Sequence, residues 1–174
     1  MEFRFIQPQL RNFDQAFSDV LVVPTWKFQR PPRDSAGLVD WRLGGTISAL
    51  MRDGEVTGSL GEQILISGRP KLSFSKVLLL GSGVVDEFHL QTFVGLIDLI
   101  LESVASLQLR RATIELPGRA QNLIEPARAA EVLVERGGDD PRFDSWTLID
   151  SAGAAREMTR RLRGERRGGW KKTS

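Results

Sequence analysis

Apolar and polar side chains alternate from Phe3 to Gln7, which predicts a half-buried strand, and the short apolar run Val20 to Val23 predicts a second strand that Pro24 ends. Thr25 to Gly37 holds Pro31, Pro32, Arg30, Arg33, Asp34 and Ser35, a composition that predicts an exposed loop long enough to carry function. Leu43, Ile47, Leu50 and Met51 recur at helical spacing within Leu38 to Met51. They predict one helix whose start is loosened by Gly44 and Gly45. Gly54, Gly58 and Gly61 punctuate a turn region before a third strand at Gln63 to Ile66.

The near-continuous apolar run Lys76 to Leu80 predicts a central strand buried on both faces. From Asp86 to Leu109, the residues Phe93, Ile97, Ile100, Leu101 and Val104 form one apolar stripe, with Asp86 and Glu87 in the first turn. Further strands are predicted at Ala112 to Leu116 and Trp146 to Ile149, separated by a helix from Pro126 to about Arg136 that Gly137 and Gly138 terminate. Ser151 is placed to cap a last helix in which Ala154, Met158 and Leu162 recur every four residues. Strands and helices alternate, which predicts an α/β fold: a mixed central sheet with helices on both faces, in three layers. No internal repeat is visible.

The length of 174 residues suits a single core-forming domain, and 41% hydrophobic with 26% charged residues is a globular composition. Cysteine is absent, which excludes disulfides, thiolate metal sites and a cysteine nucleophile, and suits a cytoplasmic location. The sequence holds neither a signal-peptide pattern at Met1 nor an apolar stretch of membrane-spanning length, so no membrane association is expected. Charge is unevenly spread. Residues 1–150 carry 16 Lys and Arg against 20 Asp and Glu, whereas residues 151–174 carry 8 against 2. The chain therefore divides into a body, 1–150, and a basic C-terminal helix with a flexible tail, 151–174.

The segment running from Gly44 through Thr46, Ile47, Ser48, Ala49, Leu50, Met51, Arg52, Asp53 and Gly54 to Glu62, followed by Lys76 to Gly83, resembles the N-terminal domain of the leucyl aminopeptidases, a metallopeptidase family. The resemblance implies a macro-domain-like fold for residues 1–150. In that family the metal-dependent peptidase chemistry sits in a separate C-terminal domain, and no segment of this sequence matches that domain's metal-binding motif. The resemblance thus implies a non-catalytic binding or assembly module, with no cofactor and no metal, that contacts a protein partner or a second copy of itself.

Three further candidate sites each have a plain structural alternative. Gly81, Ser82 and Gly83, between a buried strand and a helix, could expose backbone N–H groups to a phosphate, or could form a tight turn. Gly44 and Gly45, with Gly118 and Arg119, fall where the loops of ADP-ribose-binding macro domains lie, so that together they could clamp a nucleotide or ADP-ribose. The asparagines such domains carry after the second strand are missing: the chain's Asn residues are Asn12 and Asn122. The basic residues Arg156, Arg160, Arg161, Arg163, Arg166, Arg167, Lys171 and Lys172, with Trp170, could bind nucleic acid or form a solvated helix end. His89 is the sole histidine and is expected on the solvent side of its helix. Asp34, Asp40, Asp53 and Glu55 read as turn and surface residues. Trp26 and Trp41 flank the Pro-rich loop, where they could line a cleft or pack in the core.

Overall fold

The computed structural model describes residues 1–16 and 18–168, with the backbone path alone for 164–168. Six strands, β1 (Glu2–Ile6), β2 (Val20–Thr25), β3 (Gln63–Ser67), β4 (Lys76–Gly81), β5 (Arg111–Glu115) and β6 (Ser145–Ile149), form one sheet in the order β1-β6-β5-β2-β4-β3. All neighbours are parallel except β3, which runs antiparallel to β4. The strands alternate their side chains between two cores, as the pleat requires. Val20, Val22, Leu78 and Leu80 face α4 (Leu90–Ser106), α5 (Pro126–Gly137) and α6 (Ala152–Gly168). Leu21, Val23, Val77 and Leu79 face α1 (Leu10–Gln15), α2 (Asp34–Arg42) and α3 (Thr46–Arg52). The result is the three-layer α/β arrangement that the alternation of patterns predicts.

Four elements depart from the sequence reading. The single helix expected over Leu38 to Met51 is two helices, because Gly44 and Gly45 take left-handed φ of 72° and 84° and break the ladder between them. The first of the two starts at Asp34, inside the segment expected to be loop. β2 runs on through Pro24 to Thr25. The Thr25 carbonyl accepts the Ser82 N–H on the β4 side, so the Pro24 nitrogen one residue earlier turns toward β5, beyond the last β2–β5 pair, Val22 with Ile114. No ladder bond is lost there. The long helix begins at Leu90, and Val85–Glu87 form a separate 3-10 turn. α6 is helical to Gly168, past Gly164 where the tail was expected to start; the remainder of that tail, from Gly169, lies outside the described residues. α6 packs on α5 and sends Ala154, Met158 and Leu162 into buried positions.

The connections set where a site can form. β2 leads to α2 on one face of the sheet and β5 leads to α5 on the other, so the carboxyl ends of these neighbouring strands diverge. β1 and β6 diverge in the same way, toward α1 and α6. Parallel sheets open their crevices at such switch points.

Candidate functional site

A cleft of about 630 Å³ occupies this carboxyl end, walled by Pro8 after β1, Leu38 of α2 and Ile149 at the end of β6. Into it the strands deliver charge. Glu115 ends β5 and is only 5% exposed, and its Oε2 accepts the Ser35 backbone N–H at 2.9 Å. Burial pushes its pKa up to about 7; the Ser35 backbone and hydroxyl pull the other way, and the charges of Asp34 and Asp150 push further up. Ser35 Oγ is fully buried and, although near enough to Glu115 to be felt, makes no well-formed hydrogen bond.

Arg119, 4% exposed, donates from Nε to Asp150 Oδ2 at 2.8 Å, from Nη2 to Asp150 Oδ1 at 3.3 Å, and from Nη1 to the Ile124 carbonyl. This buried fork neutralises Asp150 and ties the loop after β5 to the end of β6. Asp34 opens α2 with a left-handed φ of 53°, an unusual backbone for an aspartate, and its Oδ2 accepts the Gln121 amide at 2.6 Å. Among the described residues no three His, Cys, Asp or Glu side chains come together in a metal-holding group.

The sequence singled out Arg119 and Asp34 but neither Glu115 nor Asp150, and it did not pair them. A partial signal was there: a carboxylate closing a strand just before Pro117 and Gly118, at the end of the sheet where parallel α/β folds build their sites.

The glycine candidates separate. Gly118 (φ 78°) sits at the carboxyl end with the Phe88 ring 2.6 Å from where a Cβ would stand. Gly44 and Gly45 lie at the amino end, where Lys71, in the turn leading into β4, donates to the Leu43 carbonyl at 3.2 Å. The two loops expected to clamp one ligand therefore face opposite ends of the sheet, because α2 carries the chain from one end to the other. The N–H groups of Gly44 and Gly45 donate to Trp41 and Asp40 carbonyls, and the start of α3 is capped by Asp40, whose carboxylate accepts both the N–H and the hydroxyl of Ser48 at 3.0 and 2.5 Å. Asp40 already fills that anion position. The N–H groups of Gly81, Ser82 and Gly83 donate to Glu62, Thr25 and Gly58 carbonyls at 2.7 to 2.9 Å. A Cβ on Gly81 would stand 1.9 Å from the Ser59 carbonyl oxygen, so this glycine serves a close backbone approach.

Among the aromatics, Trp26 is buried, with its ring edge-on to Phe88 at 5.2 Å, whereas Trp41 is 72% exposed and Phe28 81% exposed on a left-handed backbone of φ 67°. His89 is exposed just before α4, its Nδ1 2.7 Å from Thr92 Oγ1. Asp53 closes α3. On α6, Arg156, Arg160, Arg161 and Arg163 are all exposed, and Arg161 pairs with Glu131 of α5 at 2.7 Å. The backbone at Arg166 and Arg167 continues the helix; Trp170, Lys171 and Lys172 lie outside the described residues.

Sheet order and layers give a three-layer α/β fold that is macrodomain-like. The backbone superposes on a mutant Oceanobacillus iheyensis macrodomain with a TM-score of 0.70 at 14% identity, covering 92% of this chain and 89% of that one. A Trypanosoma brucei macrodomain in complex with ADP gives 0.70 at 12% identity, over 92% and 67%. A tomato leucine aminopeptidase mutant gives 0.61 at 14% identity, over 91% of this chain and 35% of that one. At such identities the likeness speaks for the fold alone. The sequence itself goes further: residues 22–137 match the model of the cytosol aminopeptidase family, N-terminal domain, and the chain belongs to that family. The cytosol aminopeptidase of Pseudomonas aeruginosa is 30% identical over 105 residues, which are 60% of this chain and 21% of that protein. A probable cytosol aminopeptidase of Pseudomonas fluorescens is 33% identical over 82 residues, 47% and 16%. The chain thus spans about a fifth of the length of the curated relatives it matches. No helix among the described residues is long and apolar enough to cross a membrane.

Proposed function

We propose that this domain is a non-catalytic, cytoplasmic binding module that docks on a protein partner or on a second copy of itself. The observation that carries the reading is the pair of aromatics given to solvent, Phe28 on a left-handed backbone and Trp41 on the outer side of α2. A non-glycine residue held at positive φ costs about 1 kcal/mol or more, and here that cost presents a phenyl ring to water with only the Lys27 ammonium, 5.3 Å from its centroid, placed over it. Burial in an interface would recover it, since aromatic side chains supply most of the energy of protein contacts. Sedimentation velocity over a range of concentrations, alone and mixed with a full-length cytosol aminopeptidase, tests this. Association that is lost in the Phe28→Ser, Trp41→Ser double variant supports the module; a chain that stays monomeric and unpartnered in both forms removes it.

A second reading, nucleotide or ADP-ribose binding in the carboxyl-end cleft, is favoured by the position of that cleft at the sheet's switch points. The charge of the cleft speaks against it. Asp34 and Glu115 would face a diphosphate while the Arg119 guanidinium is committed to Asp150. Thermal-shift measurement with ADP-ribose at millimolar concentration decides it, because a ligand that binds the folded state alone raises Tm.

A further inference from the structure

The cleft at the carboxyl end of the sheet is short of positive charge. Asp34 of α2, Glu115 of β5 and Asp150 after β6 all line it, and the charge of the guanidinium there, Arg119, is paired with Asp150. The partner of Asp34 is the neutral amide of Gln121. Glu115 is the extreme case. One of its oxygens is held by the Ser35 N–H, and besides the adjoining Ser35 hydroxyl no donor and no cation among the described residues reaches the carboxyl, although the side chain is buried and borders the cleft. Asp34 adds a negative charge beside it that no cation pairs, its partner being an amide. A buried carboxylate with no counter-ion is a costly arrangement that a donor-bearing cation would relieve. The cleft has the size of a small-molecule site, and Pro8, Leu38 and Ile149 give it walls suited to methylene groups. Among the described residues the acidic side chains do not close into a metal-holding group, so the missing charge fits an organic group better than a bare ion.

We propose that this cleft binds a small organic cation, an ammonium or guanidinium group on a short alkyl chain, with the Glu115 carboxylate as its counter-ion. Asp34, whose partner is a neutral amide, adds negative potential, and the alkyl chain lies against Leu38 and Ile149. Binding requires Glu115 ionised, so its proton leaves to solvent as the cation enters. Affinity therefore rises with pH up to the point at which the free cleft is already ionised. This goes beyond the docking role of Phe28 and Trp41 and stands whether or not those residues meet a partner.

Isothermal titration of the 174-residue chain with agmatine, which carries one guanidinium and one ammonium on a four-carbon chain, tests it at pH 6 and pH 8. Controls are 1,4-butanediol as a neutral chain and ADP-ribose as an anion. The expected result is saturable agmatine binding that is about tenfold tighter at pH 8 than at pH 6, with no binding of the diol. Glu115→Gln keeps an acceptor for Ser35 and is expected to weaken agmatine at least about tenfold at pH 8 and to flatten the pH dependence. Leu38→Trp, which fills the cleft, is expected to weaken it likewise while near-UV circular dichroism shows an intact fold. No heat at millimolar agmatine, equal binding by Glu115→Gln, or ADP-ribose binding more tightly than agmatine would each overturn the proposal.

Discussion

A carboxyl at the buried end of β5 costs stability whenever it is ionised without a counter-ion. Glu115 holds its proton up to about pH 7 in the folded chain, whereas the unfolded chain gives it up near the ordinary glutamate value. Below that ordinary value both states are protonated and the residue is neutral to stability. As pH rises toward 7 the unfolded state ionises first, so stability falls, and above 7 the full penalty remains, on the order of 3 kcal/mol. Denaturant unfolding at pH 5 and pH 8 should therefore show wild type losing stability over that window and Glu115→Gln staying flat; parallel losses in the two proteins would refute the assignment. Little of this was legible in the sequence. The strand was recognisable from Ala112 to Leu116, but that its last carboxylate is buried depends on the loop after β5 folding back through Arg119 and on α2 beginning at Asp34, neither of which leaves a local pattern. Glycine roles show the same limit. Gly44–Gly45 and Gly81–Ser82–Gly83 look alike as strings, yet a Cβ at Gly45 meets nothing within 4 Å whereas one at Gly81 meets backbone. Gly81→Ala is expected to cost more than about 3 kcal/mol by thermal unfolding, and Gly45→Ala about 1, from its left-handed backbone alone.

Elements were easier to read than residues because their signals are periodic. The apolar stripe of α4 and the apolar runs of β2 and β4 report burial directly, and the buried stretch of each lies where the pattern put it, although β2 and α4 differ at their ends. The misread elements are those where a local cue competes with a tertiary one. Pro24 marks a strand end in isolation but is tolerated where the partner strand has already stopped, and the Gly44–Gly45 pair breaks a helix that apolar spacing alone would continue. α6 joins the basic region to the core through Ala154, Met158 and Leu162. Met158→Ala is expected to destabilise the whole domain by about 2 to 4 kcal/mol in denaturant unfolding. For the same reason, nucleic-acid binding through the basic region is better tested by Arg156→Gln, Arg160→Gln and Arg163→Gln together than by removing the helix. On α4, Gly95 is exposed, helical and free of neighbours within 4 Å. Gly95→Ala should raise stability by about 1 kcal/mol.

At the scale of the molecule, three features pull in one direction. The fold is that of a family's N-terminal domain, the cleft at its carboxyl end is acid-lined with its single guanidinium already paired, and two large aromatics face solvent. Each is a means of holding something, a cation in one place and a protein surface in another. A buried carboxyl with a near-neutral pKa is also what a general base would look like. What separates binding from catalysis is whether a bond is broken. The direct measurement is release of p-nitroaniline from leucine p-nitroanilide by the purified chain with manganese or zinc supplied. The account predicts a rate equal to the protein-free blank and unchanged in Glu115→Gln. Saturable turnover by the wild-type chain that Glu115→Gln abolishes would contradict it.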